Sequence, residues 1–90
     1  MKKVIISVLG KDAVGIIAKV CNHLAENNIS IMDISQTIIQ GYFNMMMIVE
    51  MTEAKISLLD LQKGMDIIGE QINVQIKCQG EEIFNKMHRI

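Results

Sequence analysis

Val4-Ile5-Ile6-Ser7-Val8-Leu9-Gly10-Lys11-Asp12-Ala13-Val14-Gly15-Ile16 is the stretch that decides the fold. An apolar run ending at Leu9 passes through a glycine-bracketed turn into an amphipathic stretch that begins at Val14. Within the run, Val4, Ile6 and Val8 alternate with Ile5, Ser7 and Leu9, the period of a strand. Past the turn, Ile17, Val20, Cys21, Leu24 and Ala25 recur at helical spacing, with Lys19, Asn22, His23 and Glu26 on the other side. A strand that feeds a helix through such a loop aims the helix's unpaired backbone N–H groups at one spot, where a small anionic group can sit. Asp12 reads first as a helix N-cap or turn residue.

Working outward, Asn27-Asn28 ends the first helix. Ile29 to Gln40 is rich in β-formers but alternates poorly, because Asp33-Ile34-Ser35-Gln36-Thr37 mixes both faces; a bulged or edge strand is expected. Gly41-Tyr42 turns the chain. Phe43, Met45, Met47, Val49 and Met51 then share one face of a third strand. Leu58, Leu61, Met65, Ile68 and Ile72 mark a second helix, with Ser57 as N-cap and Asp60 three residues on. Gly64 and Gly69 weaken that helix by about 1 kcal/mol each relative to alanine, so tertiary packing must hold it. Val74, Ile76 and Cys78 make a one-sided last strand.

The order β-α-β-β-α-β predicts an α+β, ferredoxin-like sandwich: a four-stranded antiparallel sheet with two helices on one face, followed by a short C-terminal helix. The chain reads as one domain, residues 1–90. With the first and third strands central, Ile5, Leu9, Met46 and Ile48 project from the face without helices. That is more apolar surface than a small monomer normally exposes, and it predicts a dimer interface between two copies of the chain.

Composition narrows the function. The 90 residues carry a formal net charge of −1 and 50% apolar side chains. Without a basic cluster, nucleic acid and anionic membranes have no electrostatic claim as partners. Lys11 and Asp12 interrupt the first apolar run, and no transmembrane run occurs, so the expected compartment is the cytosol, with both cysteines reduced. Met45-Met46-Met47 reads as core and interface filler, because successive strand residues alternate in direction. Cys21 and His23 lie two apart on a helix and do not face one site. No Cys-x-x-Cys is present, so neither a metal nor a cofactor is expected. Gly10 and Gly15 have P-loop spacing, but Ile16-Ile17 stands where lysine and a hydroxyl residue are needed. The acylphosphatase version of the fold needs an arginine in the first loop, and this loop has none. The chain reads as non-catalytic.

The Gly-x-Asp-x-x-Gly-Ile loop, Asn28-Ile29-Ser30-Ile31 leading into the second strand, Asp33-Ile34-Ser35-Gln36-Thr37, Phe43-x-Met45 and the Met87-His88-Arg89-Ile90 ending together resemble an ACT domain of the small stand-alone bacterial and archaeal type. The resemblance spans essentially the whole chain. It implies a regulatory domain without catalysis that binds a small molecule, most often an amino acid, between domains of a homodimer. The family's ligand contacts fall here on Asp12, Val14, Gly15 and Ile16, and on Ser30 and Ile31. Ligand-binding members often carry amides where Asp12 and Ser30 stand and a proline where Val14 stands. The alternative is therefore an interaction module with a vestigial pocket that pairs with a regulated protein. The tail, with Ile83, Phe84, Met87 and Ile90 three or four apart, forms one apolar helical face. Deleting residues 83–90 is expected to cost several kcal/mol in a denaturant titration through lost apolar burial; unchanged stability and assembly would show that the tail does not dock.

Overall fold

The computed structural model describes residues 2–11 and 15–81. Asp12, Val14 and the expected C-terminal helix lie outside the described residues. The element order is β1 (Lys3–Gly10), α1 (Ile16–Glu26), β2 (Ser30–Ile39), β3 (Tyr42–Glu50), α2 (Leu58–Ile72) and β4 (Gln75–Gly80). The strands form one antiparallel sheet in the order β2-β3-β1-β4, the ferredoxin-like arrangement.

The period-two pattern of β1 and β3 builds the core. Register sets Val4 against Val49, Ile6 against Met47 and Val8 against Met45. Cross-strand partners share a face, and all six are buried beneath the helices together with Phe43 and Met51. Helix α1 adds Ile16, Val20 and Leu24, and α2 adds Leu61 and Met65. The buried stripe of α1 is thus rotated from the expected one: Ile17 and Cys21 are only half-buried and Ala25 is exposed. The buried stripe, three residues at strict i, i+4 spacing, belongs to the core cluster, and Ile17 and Cys21 pack against the margin of that cluster.

Local signals explain the ends. Ser57 caps α2 as expected, its hydroxyl accepting the Asp60 N–H at 3.2 Å. Asn27 ends α1, its amide donating to the His23 carbonyl at 2.8 Å, and Asn28 takes a left-handed φ of 57°. The two helix glycines are explained by contact. A side chain on Gly64 would collide with the His23 ring, and one on Gly69 would lie 2.6 Å from the Val74 carbonyl oxygen. Between β2 and β3 the turn falls on Gln40 and Gly41, one residue earlier than expected. Both have positive φ, 50° and 82°, as a two-residue hairpin turn requires, which leaves Tyr42 paired with Ile39 as the first residue of β3.

The two sheet edges differ. Along β4, Gln62 of α2 meets two outward-facing backbone groups, the Ile76 carbonyl and the Cys78 N–H. Its amide donates to the Ile76 carbonyl at 3.0 Å and to Asp66 at 2.7 Å, and its carbonyl oxygen accepts the Cys78 N–H at 2.7 Å. The β2 edge matches the expected bulged edge strand: the register shifts between Ile31 and Asp33, and all ten residues are exposed. Replacing Gln62 with methionine keeps the stem of the side chain and removes both bonds to β4. We expect a loss of about 2 kcal/mol in urea denaturation; a change within experimental error would show that solvent serves that edge equally well.

Candidate functional site

At the end of the molecule where β1 hands over to α1, Gly10 lies so close to Val74 that a side chain there would overlap it. Gly15 is the N-cap of α1, in a left-handed conformation with φ 83° and ψ −21°. The cap position therefore falls on Gly15 rather than on Asp12. The Gly15 carbonyl accepts the Lys19 N–H at 3.0 Å, and no acidic side chain stands in the first turn of α1. Among the described residues a side chain built on Gly15 meets nothing within 4 Å, and Gly15 itself is exposed. The helix end it caps carries partial positive charge. Beside it, the Lys11 ammonium lies 5.8 Å from the centre of the Tyr42 ring. Gly10, Lys11, Tyr42, Asn73 and Gln75 line a shallow groove of about 320 Å³.

Of the sequence-expected ligand contacts, Gly15 presents open backbone at this end, while Asp12 and Val14 lie outside the described residues. The Ile16 side chain is in the core at 1% exposure, so its backbone N–H is what it offers a ligand. Ser30 and Ile31 are elsewhere. They pair with Glu50 and Val49, and Glu50 faces Lys3 at the start of β1, whereas Gly10 is at its end. The length of β1, eight residues or about 24 Å, separates the two halves of the expected site within one chain.

The helix-free face holds the residues expected at a dimer interface. Leu9 and Met46 are exposed, Ile48 is half-buried, and Ile5, flanked by Ile48 and Gln79, is buried at 5% exposure in the single chain. A groove of about 480 Å³ surrounds Leu9 and Met46, with Ser7, Thr37, Asn44 and Lys77 on its walls. Met45 and Met47 point to the core and Met46 away from it, as strand alternation requires.

Further apolar exposure lies on β2, where sequence reasoning named only Ile31. Ile31, Met32, Ile34, Ile38 and Ile39 are all exposed, Ile38 at 72%. Their signal in the sequence was the failure of β2 to alternate. Among the described residues no three metal-ligating side chains gather. Burial, and after it the nearby Asp66 carboxylate, push the Cys78 thiol up to about 12, so it stays protonated and unreactive at neutral pH. No helix among the described residues is long and apolar enough to cross a membrane.

The family model for the ACT domain matches residues 2–79. A UPF0237 protein of Bifidobacterium longum is 53% identical over 90 residues, covering all of both chains. A UPF0237 protein of Methanocaldococcus jannaschii is 46% identical, again over the full length of both. Among solved structures, an ACT domain protein from Streptococcus pneumoniae superposes with a TM-score of 0.81 at 40% identity, covering 92% of this chain and 93% of that one.

The open surroundings of Gly15 separate backbone strain from crowding. Gly15→Ala introduces no clash, so its expected cost is that of a left-handed φ alone, about 1–2 kcal/mol in chemical denaturation. Gly15→Asn should recover part of that loss, since asparagine tolerates this conformation. Equal stability of all three chains would show that the loop relaxes to another path.

Proposed function

We propose that this chain, which belongs to the ACT domain family of regulatory small-molecule-binding domains, is a non-catalytic amino-acid sensor that works as a homodimer in the cytoplasm. The observation that carries this reading is the open N-terminus of α1, with glycine at the cap and space around it. An amino acid is zwitterionic. Its carboxylate suits the first-turn N–H groups beside Gly15 and Ile16, with Lys11 nearby. Its ammonium suits the Asp12 carboxylate. Val14 supplies an apolar wall for the ligand's side chain, and Ser30 and Ile31 close the site from a second copy of the chain. Leu9, Met46 and Ile48 form a surface across which copies stack, with Ile5 beneath them. The bound dimer is read by a regulated protein.

The second reading, an interaction module with a vestigial pocket, draws on the apolar side chains exposed along β2. Ligand binding decides between the two. In a thermal-shift screen against the common amino acids, a ligand at tenfold its Kd stabilises by about 1.4 kcal/mol, several degrees for a domain this small. A panel that leaves the melting temperature unchanged favours the interaction module. With a ligand in hand, Asp12→Asn is expected to weaken affinity at nearly constant Tm, since asparagine caps and turns as aspartate does but lacks the charge. Equal affinity would remove Asp12 as the ammonium contact.

A further inference from the structure

We propose that residues 82–90 fold back as a short amphipathic helix across the helix-free face of their own sheet and cap it over Ile5 and Ile48. The cap rests on neither ligand binding nor dimerisation, and it gives to the chain itself part of a surface that would otherwise fall to a second copy.

The lead is Ile5. Among the described residues it is the one buried apolar side chain that does not belong to the core cluster. Strand parity sends it to the face opposite α1 and α2, where its cross-strand neighbours are Ile48 and Gln79. Neighbours in the plane of a sheet leave the outer surface of a side chain in the open: Leu9 and Met46, on the same two central strands and the same face, are 42% and 44% exposed. Ile5 keeps 5%. Exposure falls in step across the sheet, since Ile48 and Gln79 beside Ile5 are half-buried whereas Met46 and Lys77, one row toward Gly10, are exposed. The Ile5 end of this face is therefore covered from above.

The occupant follows from where the chain runs. Outside the described residues are Met1, residues 12–14 and residues 82–90. Residues 12–14 follow β1 at its Gly10 end, and Met1 is four strand residues, about 13 Å, from Ile5. Residues 82–90 start in the right place: β4 sets Gln79 against Ile5 and Gly80 against Val4, and Glu81, directly after it, is already helical and half-buried. Continued from Glu81, a helix rises about 4.5 Å for every three residues, close to the spacing of about 4.8 Å between neighbouring strands. Crossing the sheet from β4, Phe84, Met87 and Ile90 then fall one to a strand, over β1, β3 and β2, so that Phe84 meets Ile5 and Met87 meets Ile48. Ile83 lies on the same side of the helix. Charge agrees with this direction, because the second half of the tail carries Lys86 and Arg89, and β3 and β2 bring Glu50 and Asp33 to the helix-free face. With the cap in place, Leu9 and Met46 are the apolar part of the face left open to a second copy.

Thiol protection tests the cap. In a chain with Cys21→Ala and Cys78→Ala, Ile5→Cys is expected to react with a water-soluble aromatic disulfide at least about tenfold more slowly than Leu59→Cys, exposed on α2, because the reagent reaches position 5 only when the tail lifts. Removing residues 82–90 is expected to raise the Ile5→Cys rate at least about tenfold, while Met46→Cys reacts within about twofold of the same rate with and without the tail. Should the truncated chain fail to fold, Phe84→Asp in the full-length chain reads the same contact and is expected to raise the rate likewise. Ile5→Cys as reactive as Leu59→Cys in the intact chain, or a rate that neither the truncation nor Phe84→Asp raises, overturns the proposal. So does protection that fades on dilution, which places a second copy on Ile5 instead of the chain's own tail. None of these outcomes bears on ligand binding, which the thermal-shift screen reads separately.

Discussion

Everything in this molecule hangs on the antiparallel pairing of β1 with β3 at the centre of the sheet. Because the register sets Val4, Ile6 and Val8 against Val49, Met47 and Met45, one face of two adjacent strands becomes a continuous apolar floor. A slip of one residue would turn Ser7 and Asn44 to the helices and destroy it. Each fully buried aliphatic side chain on that floor contributes roughly 1.5–3 kcal/mol relative to an exposed one. The helices dock wherever the floor lets them, which is why α1 settles on Ile16, Val20 and Leu24 and why Gly64 and Gly69 are needed where His23 and Val74 press in.

With the centre fixed, the edges carry the consequences. An edge strand has backbone groups that the sheet does not use, and they must bond to something. On β4 a glutamine from α2 supplies one donor and one acceptor, to the Ile76 carbonyl and from the Cys78 N–H. On β2 only the Ile34 N–H is held by a side chain of the same strand, and large apolar residues flank it on both faces. The two edges therefore differ in what the chain itself brings to them: α2 reaches the β4 edge, and the β2 edge is exposed along its whole length.

The fold was written plainly where one pattern dominated. The apolar face at every second residue of β1, β3 and β4, the Ser57 and Asp60 cap, and the Asn27-Asn28 stop each depend on local chemistry that survives into the folded state. The rotation of the α1 stripe and the one-residue displacement of the hairpin turn were not legible. The first depends on which side chains of α1 the assembled core takes in. The second depends on which two residues take positive φ once β2 and β3 are in register.

The candidate site divides in the same way. The sequence by itself determined the strand-loop-helix unit, the glycine at its mouth and the apolar centre of the helix-free face, because each is a property of a contiguous segment or of strand parity. Only the tertiary structure decided that Ser30 and Ile31 stand a strand length from Gly15, that the Ile16 side chain is consumed by the core, that Ile5 is covered while Met46 is not, and that Gln62 reaches the β4 edge. Those outcomes turn on register, strand order and the approach of α2 to β4, which bring together residues far apart in the chain; no periodicity within a segment encodes them.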